Sequence, residues 1–395
     1  MTAIGQGALA EEAGRQEIHG WTALRGVAAM WIVVYHFAPH FGDRLAFWWV
    51  DKGYMAVDLF FVLSGAVMYH VYARSIAEQR FSWADFMWKR VARLYPVHLV
   101  TMIGAVIILY GGAALGLGPA PGYNPWFASA MNVLVLHGLG VLDDLTLNYP
   151  SWSISAELVA YLFFYPLGLF MLRFKPRAAL LLSVLVLLGT FLVAGQIRTA
   201  LWPSPEHGQV LTHVSFQAAY MRVIPEFLLG MAVSRVGQGV RQLSRAETHG
   251  GLCMLLLLGL AALYLHLDWA FTLIGAALVG LLLVGELHPP RWSLYLGTIS
   301  YSIYMVHALI EMVVFKGFEI AFGFPANGIP TVLLVVPVVL VVLAGYALHI
   351  LIEEPYRKRL TRRRAAPAGF DGGARRLPSV PDPSLPRTQM PRRPF

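Results

Sequence analysis

Long apolar segments recur along the whole chain, and they constrain its fold more than any other feature. A hydrocarbon core of about 30 Å needs roughly 20 apolar helical residues to cross it. Each such segment must be helical, because lipid offers no partner for unpaired backbone groups. The sequence therefore predicts an all-α integral membrane protein, a bundle of about ten transmembrane helices. The ten predicted spans cover residues 23–41, 56–73, 94–115, 152–172, 178–194, 217–235, 250–266, 269–284, 293–312 and 330–352.

The composition favours the same fold class. Hydrophobic residues make up 57% of the 395 residues, charged residues only 13%, and the mean hydropathy is +0.60. A soluble domain usually carries about 25% charged residues. The net charge of +8 is compatible with nucleic acid binding, but the basic residues lie mostly in loops and a tail beside apolar spans. Positive charge in those places is first a topology signal, so no nucleic acid partner is predicted.

The distribution of Lys and Arg predicts the orientation and the domain boundaries. These residues concentrate in alternate loops and in the C-terminal tail, which predicts that both termini are cytoplasmic. The N-terminal tail, residues 1–20, lacks the apolar core of a cleaved signal peptide, so the first span is predicted to be an uncleaved anchor. One transmembrane domain is predicted over residues 21–360. Residues 361–395 are rich in Arg and Pro and are predicted to form a disordered cytoplasmic tail attracted to anionic lipid.

Ionisable residues inside the first two spans are candidate functional groups, because charge within a membrane is costly. Arg25 and His36 are eleven residues apart, which places them within about 20° of one helix face and roughly 16 Å apart along it. Asp58 lies at a similar depth if the two helices form a hairpin. A carboxylate beside His36 would raise the basicity of the imidazole and suit it to act as a general base. The alternatives are a hydrogen-bonded core histidine and a structural pair that locks the hairpin.

A basic cluster precedes the third span. Arg90 and Arg93 are one helical turn apart, next to Lys89, and Trp83 and Trp88 are close in sequence. Arginine forks match phosphate oxygens, and an aromatic face can take a purine ring. Coenzyme A requires both kinds of contact. The alternative interpretation is a positive-inside anchor with an aromatic belt.

The fourth span offers candidate groups for a second substrate. Glu157 lies about one turn into the membrane from the outer side and could bind an acceptor hydroxyl or water. Ser151, Ser153 and Ser155 precede it, and their hydroxyls could cap the helix. The preceding outer loop, residues 116–150, is rich in Gly and Pro, has no Lys or Arg, and is long enough to line a site.

Other polar residues within the spans have simpler interpretations. Arg222 and Glu226 are four residues apart in the sixth span and are predicted to form a neutralised pair. The ninth span carries small polar residues that more often mark tight helix packing than catalysis, namely Ser300, Ser302, Tyr304 and His307. Walker, zinc-binding, nucleophile-elbow and dinucleotide motifs are absent from the sequence, so no metal site is predicted. The single cysteine, Cys253, excludes an internal disulfide.

Seven sequence blocks in order resemble the acyltransferase 3 family of bacterial membrane proteins. They read ALRGVAAMWIVVYHF, VDLFFVLSG, KRVARLYP, SWSISAE, RVIPEFLLG, LGTISYSIYMVH and IEEPYR, and they extend from about Trp21 to Arg357. The resemblance implies transfer of an acyl group, commonly acetyl, from cytoplasmic acyl-coenzyme A. The implied acceptors include extracytoplasmic or lipid-linked carbohydrates. The arginine-x10-histidine pattern of the family falls on Arg25 and His36, and its arginine-x-x-arginine pattern falls on Arg90 and Arg93.

The chain departs from the family pattern at several positions, which weakens an assignment to a subfamily. Thr22 and Ala23 stand where many members have Asp-Gly, Ala66 stands where Phe is usual, and Lys89 stands where a first arginine is common. Many members also carry an extracytoplasmic esterase-like domain. Here the sequence predicts the membrane module alone.

Together these features predict a multi-pass acyltransferase of the inner (cytoplasmic) membrane. The donor, acyl-coenzyme A, is a substrate rather than a permanently bound cofactor, and Arg25, Arg90 and Arg93 would bind it. His36, oriented by Asp58, would take the proton from the acceptor hydroxyl, or it would carry the acyl group itself.

The acceptor, a carbohydrate or lipid-linked glycan, would lie near Glu157, Ser153 and Tyr304. The candidates for the oxyanion donor are Ser64, Tyr35 and Tyr304. The alternative function is a transporter of lipid-linked sugar that performs no acyl chemistry, and the lack of an obvious inverted repeat counts against it.

Overall fold

The computed structural model describes residues 18–45, 47–201 and 219–365, and within these ranges the chain is helical and contains no β-strand. The α-helices that position the site are numbered here in chain order. They are α1 (His19–Phe37), α2 (Ala56–Ala77), α3 (Trp83–Val106), α4 (Pro125–Val133), α5 (Trp152–Arg173), α6 (Pro176–Leu201), α7 (Ala219–Gly237), α8 (Arg245–Tyr264), α9 (Asp268–Val284), α10 (Arg291–Thr298), α11 (Ser300–Phe322), α12 (Val335–Leu348) and α13 (Glu354–Ala365).

The predicted all-helical membrane fold is confirmed at the level of its class. Each of the ten predicted spans falls on a helix, but only six helices in the described ranges are long and apolar enough to cross a membrane singly. A seventh is added if α10 and α11, which are bent by 70°, form one span. The helix α9 is apolar but only 17 residues long. The number ten and the cytoplasmic location of the termini therefore stay predictions.

The helix α13 continues to Ala365, through the first five residues of the predicted C-terminal tail. Most of that tail and residues 1–17 lie outside the described residues.

Two glycines allow α2 and α7 to pack with their backbones in contact. A Cβ atom on Gly65 would lie 1.9 Å from the Phe227 carbonyl oxygen, and a Cβ atom on Gly230 would lie 1.9 Å from the Val62 carbonyl oxygen. Small residues permit this close approach, which is a common source of helix association in lipid. The α2–α7 pair forms the centre of the bundle.

A second close contact places α11 next to the helix that carries Arg25 and His36. A Cβ atom on Gly297, in α10, would lie 1.8 Å from the carbonyl oxygen of Thr22 in α1. Because α11 follows α10 after a sharp bend, its first three turns lie beside α1 and bury His307 completely.

The serines before Glu157 hold the outer loop rather than cap α5. The Ser151 side chain makes no capping bond and instead pairs with His137 Nε2 at 2.9 Å. Ser155 donates to the Val135 carbonyl at 2.6 Å. Burial and the neighbouring His98 lower the pKa of His137 to about 4, so this contact is uncharged at neutral pH. The capping prediction was wrong because buried loop groups need these hydroxyls as partners.

Replacing Gly230 with Ala should destabilise the protein by about 1–3 kcal/mol, because the added methyl group meets rigid backbone of α2. Gly250→Ala in α8 is the matched control, since a Cβ atom there has open space around it. That change should be neutral or stabilising by up to about 1 kcal/mol. Thermal unfolding of the two variants in detergent measures the difference, and equal melting temperatures would contradict the proposed backbone contact.

Candidate functional site

One internal cavity brings together every residue that the sequence predicted for the donor and the acceptor. It encloses about 820 Å³ of space, including its open mouth. Helices α1, α2, α3, α5 and α11 line it, and apolar side chains make up most of its wall. The predicted residues in its lining are Arg25, Arg90, Arg93, Ser153, Glu157 and Tyr304. None of the outer loop residues 116–150 is in that lining.

Aromatic rings, rather than carboxylates of the described residues, contact Arg90 in this wall. The Arg90 guanidinium carbon lies 5.7 Å from the centre of the Phe86 ring and 5.9 Å from that of Tyr161. The Arg90 Nε is buried and makes no hydrogen bond within the described part of the chain. Arg93 lies one turn further along α3, and Arg25 reaches the same cavity from α1, where it donates to Thr22 Oγ1 at 3.2 Å. Three cations therefore meet at a cavity wall, and Arg90 retains donors for an anion.

Neighbouring arginines at the surface are arranged differently. Arg74 Nε lies 2.8 Å from Glu78 Oε1, and Arg80 contacts the other oxygen of the same carboxylate. Hydrogen bonds from Arg74 and then Arg80 lower the pKa of Glu78, so this carboxylate is charged and neutralises both partners in part. These two arginines are exposed and lie outside the cavity lining, which makes them suitable controls for Arg90 and Arg93.

The two tryptophans predicted to receive a purine ring do not line the cavity. Trp88 donates from Nε1 to the Leu360 carbonyl at 2.8 Å and so links α3 to α13, while Trp83 is largely exposed. Sequence proximity to the arginines suggested them. Trp88, however, is two positions from Arg90 and points in a different direction, and Trp83 lies two helical turns, roughly 10 Å, before Arg90.

Two hydroxyl groups hold the Glu157 carboxylate in the cavity wall. Tyr161 donates to Glu157 Oε1 at 2.5 Å, and Ser64 donates to the same oxygen. The second oxygen, Oε2, has no hydrogen bond partner among the described residues. Ser64 was predicted as an oxyanion donor, and here its proton is directed to Glu157.

Tyr304 separates this cavity from a second group of polar residues. Its hydroxyl donates to the Pro150 carbonyl at 2.8 Å and lies 2.8 Å from Ser153 Oγ. The ring of Tyr304 faces the cavity on one side, and its centre lies 5.7 Å from that of His307 on the other. The hydroxyl is therefore occupied by Pro150 and Ser153, and the ring lies between the cavity and His307.

His36 lies beyond that wall, in a cluster of aromatic and imidazole rings. The centre of its ring lies 5.0 Å from that of His307 and 5.0 Å from that of Tyr149. Tyr149 donates to Glu311 Oε2 at 2.5 Å, and Glu311 Oε1 lies 3.0 Å from His40 Nε2. These five residues form a chain of contacts from a partly exposed histidine to the buried side of His36.

A further ring neighbour of His36, Tyr35, does not give it a polar partner. The Tyr35 ring, a predicted oxyanion donor, has its centre 4.9 Å from that of the adjacent His36. Throughout the described ranges His36 itself makes no hydrogen bond, so both of its nitrogens are available to a substrate or to a ring neighbour.

The predicted pairing of Asp58 with His36 is not present in the structure, and Asp58 binds Arg222 instead. Arg222 Nε and Nη2 lie 2.9 and 2.5 Å from the two carboxylate oxygens of Asp58, and both side chains are buried. The reason is that a guanidinium offers two charge-assisted bonds and neutralises a buried carboxylate, whereas an imidazole offers one. Glu226, predicted as the main partner of Arg222, lies 3.9 Å from Nε and is secondary.

Four functional candidates near His36 were not predicted to contribute to a site. They are His40, Tyr149, His307 and Glu311. His307 was seen in the sequence but interpreted as a packing residue. A signal was present, because His307 and Glu311 are four residues apart and so share one face of α11.

Comparison with known proteins identifies a family whose model matches most of the chain. A family model described as an acyltransferase domain, Acyl_transf_3, matches residues 18–350. Protein 2 in the picA locus of Rhizobium radiobacter is 35% identical over 179 residues, 42% of this chain and 85% of that protein. No solved structure matches the chain.

Two other relatives are named for a reaction. The peptidoglycan O-acetyltransferase OatA of Listeria monocytogenes is 24% identical over 317 residues, which cover 74% of this chain and 49% of OatA. The putative peptidoglycan O-acetyltransferase YrhL of Bacillus subtilis is 26% identical over 182 residues, 43% of this chain and 27% of YrhL. The match thus spans half or less of these two longer proteins.

Replacing Arg222 with Gln should cost about 3–5 kcal/mol of stability, because it leaves the buried carboxyl groups of Asp58 and Glu226 without a counter-charge. Asp58→Asn should cost less, since Glu226 still lies near Arg222. The double variant should be more stable than the sum of the two single effects predicts. Thermal unfolding in detergent tests this, with Arg241→Gln at an exposed ion pair as the control. An unchanged melting temperature for Arg222→Gln would rule out the buried pair as a structural lock.

Proposed function

The chain belongs to the acyltransferase 3 family, and we propose that it transfers an acetyl group from acetyl-coenzyme A to a hydroxyl of a carbohydrate or lipid-linked glycan. One observation carries this proposal. A single cavity holds three arginines in its wall, and the Tyr304 ring that closes its other side leads to the His36 cluster. In this proposal the anionic part of the donor binds at the arginines, and the base lies on the other side of the Tyr304 ring from them.

The arginines supply the donor site in this proposal. Coenzyme A carries phosphate groups, and charge-assisted bonds from guanidinium forks are the strongest contacts a protein offers to them. Arg90 is held by ring stacking and keeps its donors, whereas Arg74 is already bonded to a carboxylate. The narrow, mostly apolar remainder of the cavity suits the flexible arm that ends in the thioester. Because coenzyme A is cytoplasmic, the cavity mouth and both termini would face the cytoplasm of the inner membrane.

His36 supplies the base. It would take the proton from the acceptor hydroxyl as the oxygen attacks the thioester carbonyl carbon. The carbon–sulfur bond then breaks, and His36 returns the proton to the departing thiolate sulfur. The acceptor would approach from the side of Tyr149 and Glu311. These two residues lie on the other side of Tyr304 from the cavity. Asp58 would support this chemistry only indirectly, by holding α2 against Arg222.

The acceptor class is inferred from the relatives and from the polar groups at hand. Two relatives are named as peptidoglycan O-acetyltransferases, which favours a glycan hydroxyl. In this arrangement Glu157 and Ser153, which the sequence predicted as acceptor contacts, lie on the donor side of Tyr304, in the wall of the cavity. A transporter of lipid-linked sugar would use similar polar groups but would have no reason to consume acetyl-coenzyme A.

Purified protein should release free coenzyme A from acetyl-coenzyme A when membrane glycan is present, and His36→Ala should lower that turnover by about 10²–10⁴-fold. His249→Ala provides the control, because His249 is exposed and bonds only the Arg245 carbonyl within the described ranges. A thiol-detecting assay follows the release, and mass spectrometry follows the acetylated glycan. Wild-type protein that binds glycan but never consumes the thioester would favour the transporter. Full activity in a well-folded His36→Ala variant would exclude His36 as the base.

Changing both Arg90 and Arg93 to Gln should raise the Michaelis constant for acetyl-coenzyme A sharply, because charge-assisted contacts contribute about 1.5–3 kcal/mol each. The Michaelis constant for the acceptor should change less. Lys at the two positions should restore only part of the affinity, since an ammonium group cannot offer a fork.

The double variant Arg74→Gln, Arg80→Gln is the matched control, because it removes the same charge from exposed arginines outside the cavity lining. If both double variants changed donor kinetics equally, general surface charge would explain the effect and a phosphate site at Arg90 and Arg93 would be excluded.

A further inference from the structure

We propose that His307 is the positioning partner of His36: its Nε2 accepts a hydrogen bond from the His36 ring and so sets the tautomer and orientation of the base. This inference deepens the proposed acyl transfer and rests on it. It assigns to a neutral imidazole the role that the sequence had predicted for Asp58.

The hydrogen bond at Nδ1 determines the tautomer of His307. That nitrogen lies 2.6 Å from the Tyr304 carbonyl oxygen, one turn earlier in α11. A carbonyl oxygen can only accept, so Nδ1 carries the proton and Nε2 carries a lone pair. His307 therefore presents an acceptor at Nε2.

That acceptor is buried and has no partner. His307 is 0% exposed, and its Nε2 makes no hydrogen bond to any described residue. Buried polar groups in proteins are normally satisfied, and an unsatisfied one requires an explanation such as a catalytic role. The rings that contact His307 are the first candidates for the missing donor.

Among the rings that contact His307 in the described part of the chain, one has a proton that is not already donated elsewhere. The Tyr149 hydroxyl donates to Glu311 at 2.5 Å, and the Tyr304 hydroxyl donates to the Pro150 carbonyl at 2.8 Å. His36 is the third neighbour, with no hydrogen bond of its own to a described residue. Rings whose centres are 5.0 Å apart can bring their edges within hydrogen-bond distance.

The pairing has a direct chemical consequence. When one His36 nitrogen donates to His307, the other must carry the lone pair, and it is then the base that faces the acceptor hydroxyl. His36 passes the proton of the acceptor oxygen to the thiolate sulfur. His307 therefore neither gains nor loses a proton over the cycle. A neutral partner also avoids a second buried carboxylate beside the site, since the Asp58 carboxylate is bound to Arg222.

Two amide substitutions separate this role from a structural one. In His307→Gln, the amide reaches the place of Nε2 and can offer an acceptor to His36, but the bond to the Tyr304 carbonyl is lost. In His307→Asn, the amide reaches the place of Nδ1 and can keep the Tyr304 bond, but nothing accepts from His36. A positioning role through Nε2 predicts rescue by Gln, and a structural role in α11 predicts rescue by Asn.

Turnover of acetyl-coenzyme A is measured for both variants together with the donor Michaelis constant. We expect His307→Asn to lose about 10–100-fold in turnover, as is typical when an outer partner of an active group is removed. The donor Michaelis constant should stay within about twofold, and His307→Gln should retain most of the turnover. Loss of turnover in the Gln variant with full activity in the Asn variant would overturn the proposal.

The tautomer of His36 is measured independently of activity, by nitrogen NMR of histidine-labelled protein in detergent, with His36→Asn identifying the signal. In the wild type one ring nitrogen should be protonated and the other not, and in His307→Asn the two tautomers should exchange. Fixed tautomers in both proteins would refute the pairing even if acyl transfer were established. A fixed tautomer in wild-type protein that consumed no thioester would instead refute the proposed function and leave the pairing in place.

Discussion

The ion pair between Asp58 and Arg222 lies at the centre of the bundle, where α2 and α7 touch through Gly65 and Gly230. Neither charge could be buried alone, because a charge in a medium of low dielectric is stable only with a partner and further hydrogen bonds. The pair therefore makes the position of α2 depend on that of α7. Ser64 is carried on α2, and it helps to hold the Glu157 carboxylate in the cavity wall. The buried ion pair therefore affects the position of Glu157, because Asp58 and Ser64 lie on the same rigid helix, α2.

The polar groups around the site are divided between two compartments. On one side are the arginines, in a cavity with mostly apolar walls. On the other are His36, His307 and Tyr149, in contact with a carboxylate and a partly exposed histidine. Tyr304 forms the boundary, and its hydroxyl is bonded to the Pro150 carbonyl and to Ser153. This division suits a reaction between an anionic donor and a hydroxyl that arrive from different sides, because each substrate meets its own set of groups.

The helix α11 contributes to both compartments with a single stripe of side chains. Its polar residues are spaced four, three and four positions apart, which keeps them on one face of a helix. Those residues are Ser300, Tyr304, His307 and Glu311. Ser300 and Tyr304 line the cavity, and His307 and Glu311 belong to the His36 cluster. A stripe that resembles a packing surface in the sequence therefore connects the donor side to the base.

From the sequence alone, the length and spacing of the apolar segments determined a helical membrane protein, and seven ordered blocks determined the family. The shared face of Arg90 and Arg93 was also predictable, because the two residues are one turn apart on a single helix. Periodicity says nothing about which helix lies opposite. Only the tertiary structure showed that Asp58 pairs with Arg222 and that His307 lies beside His36. These partners are 164 and 271 residues apart, and helix packing brings them together.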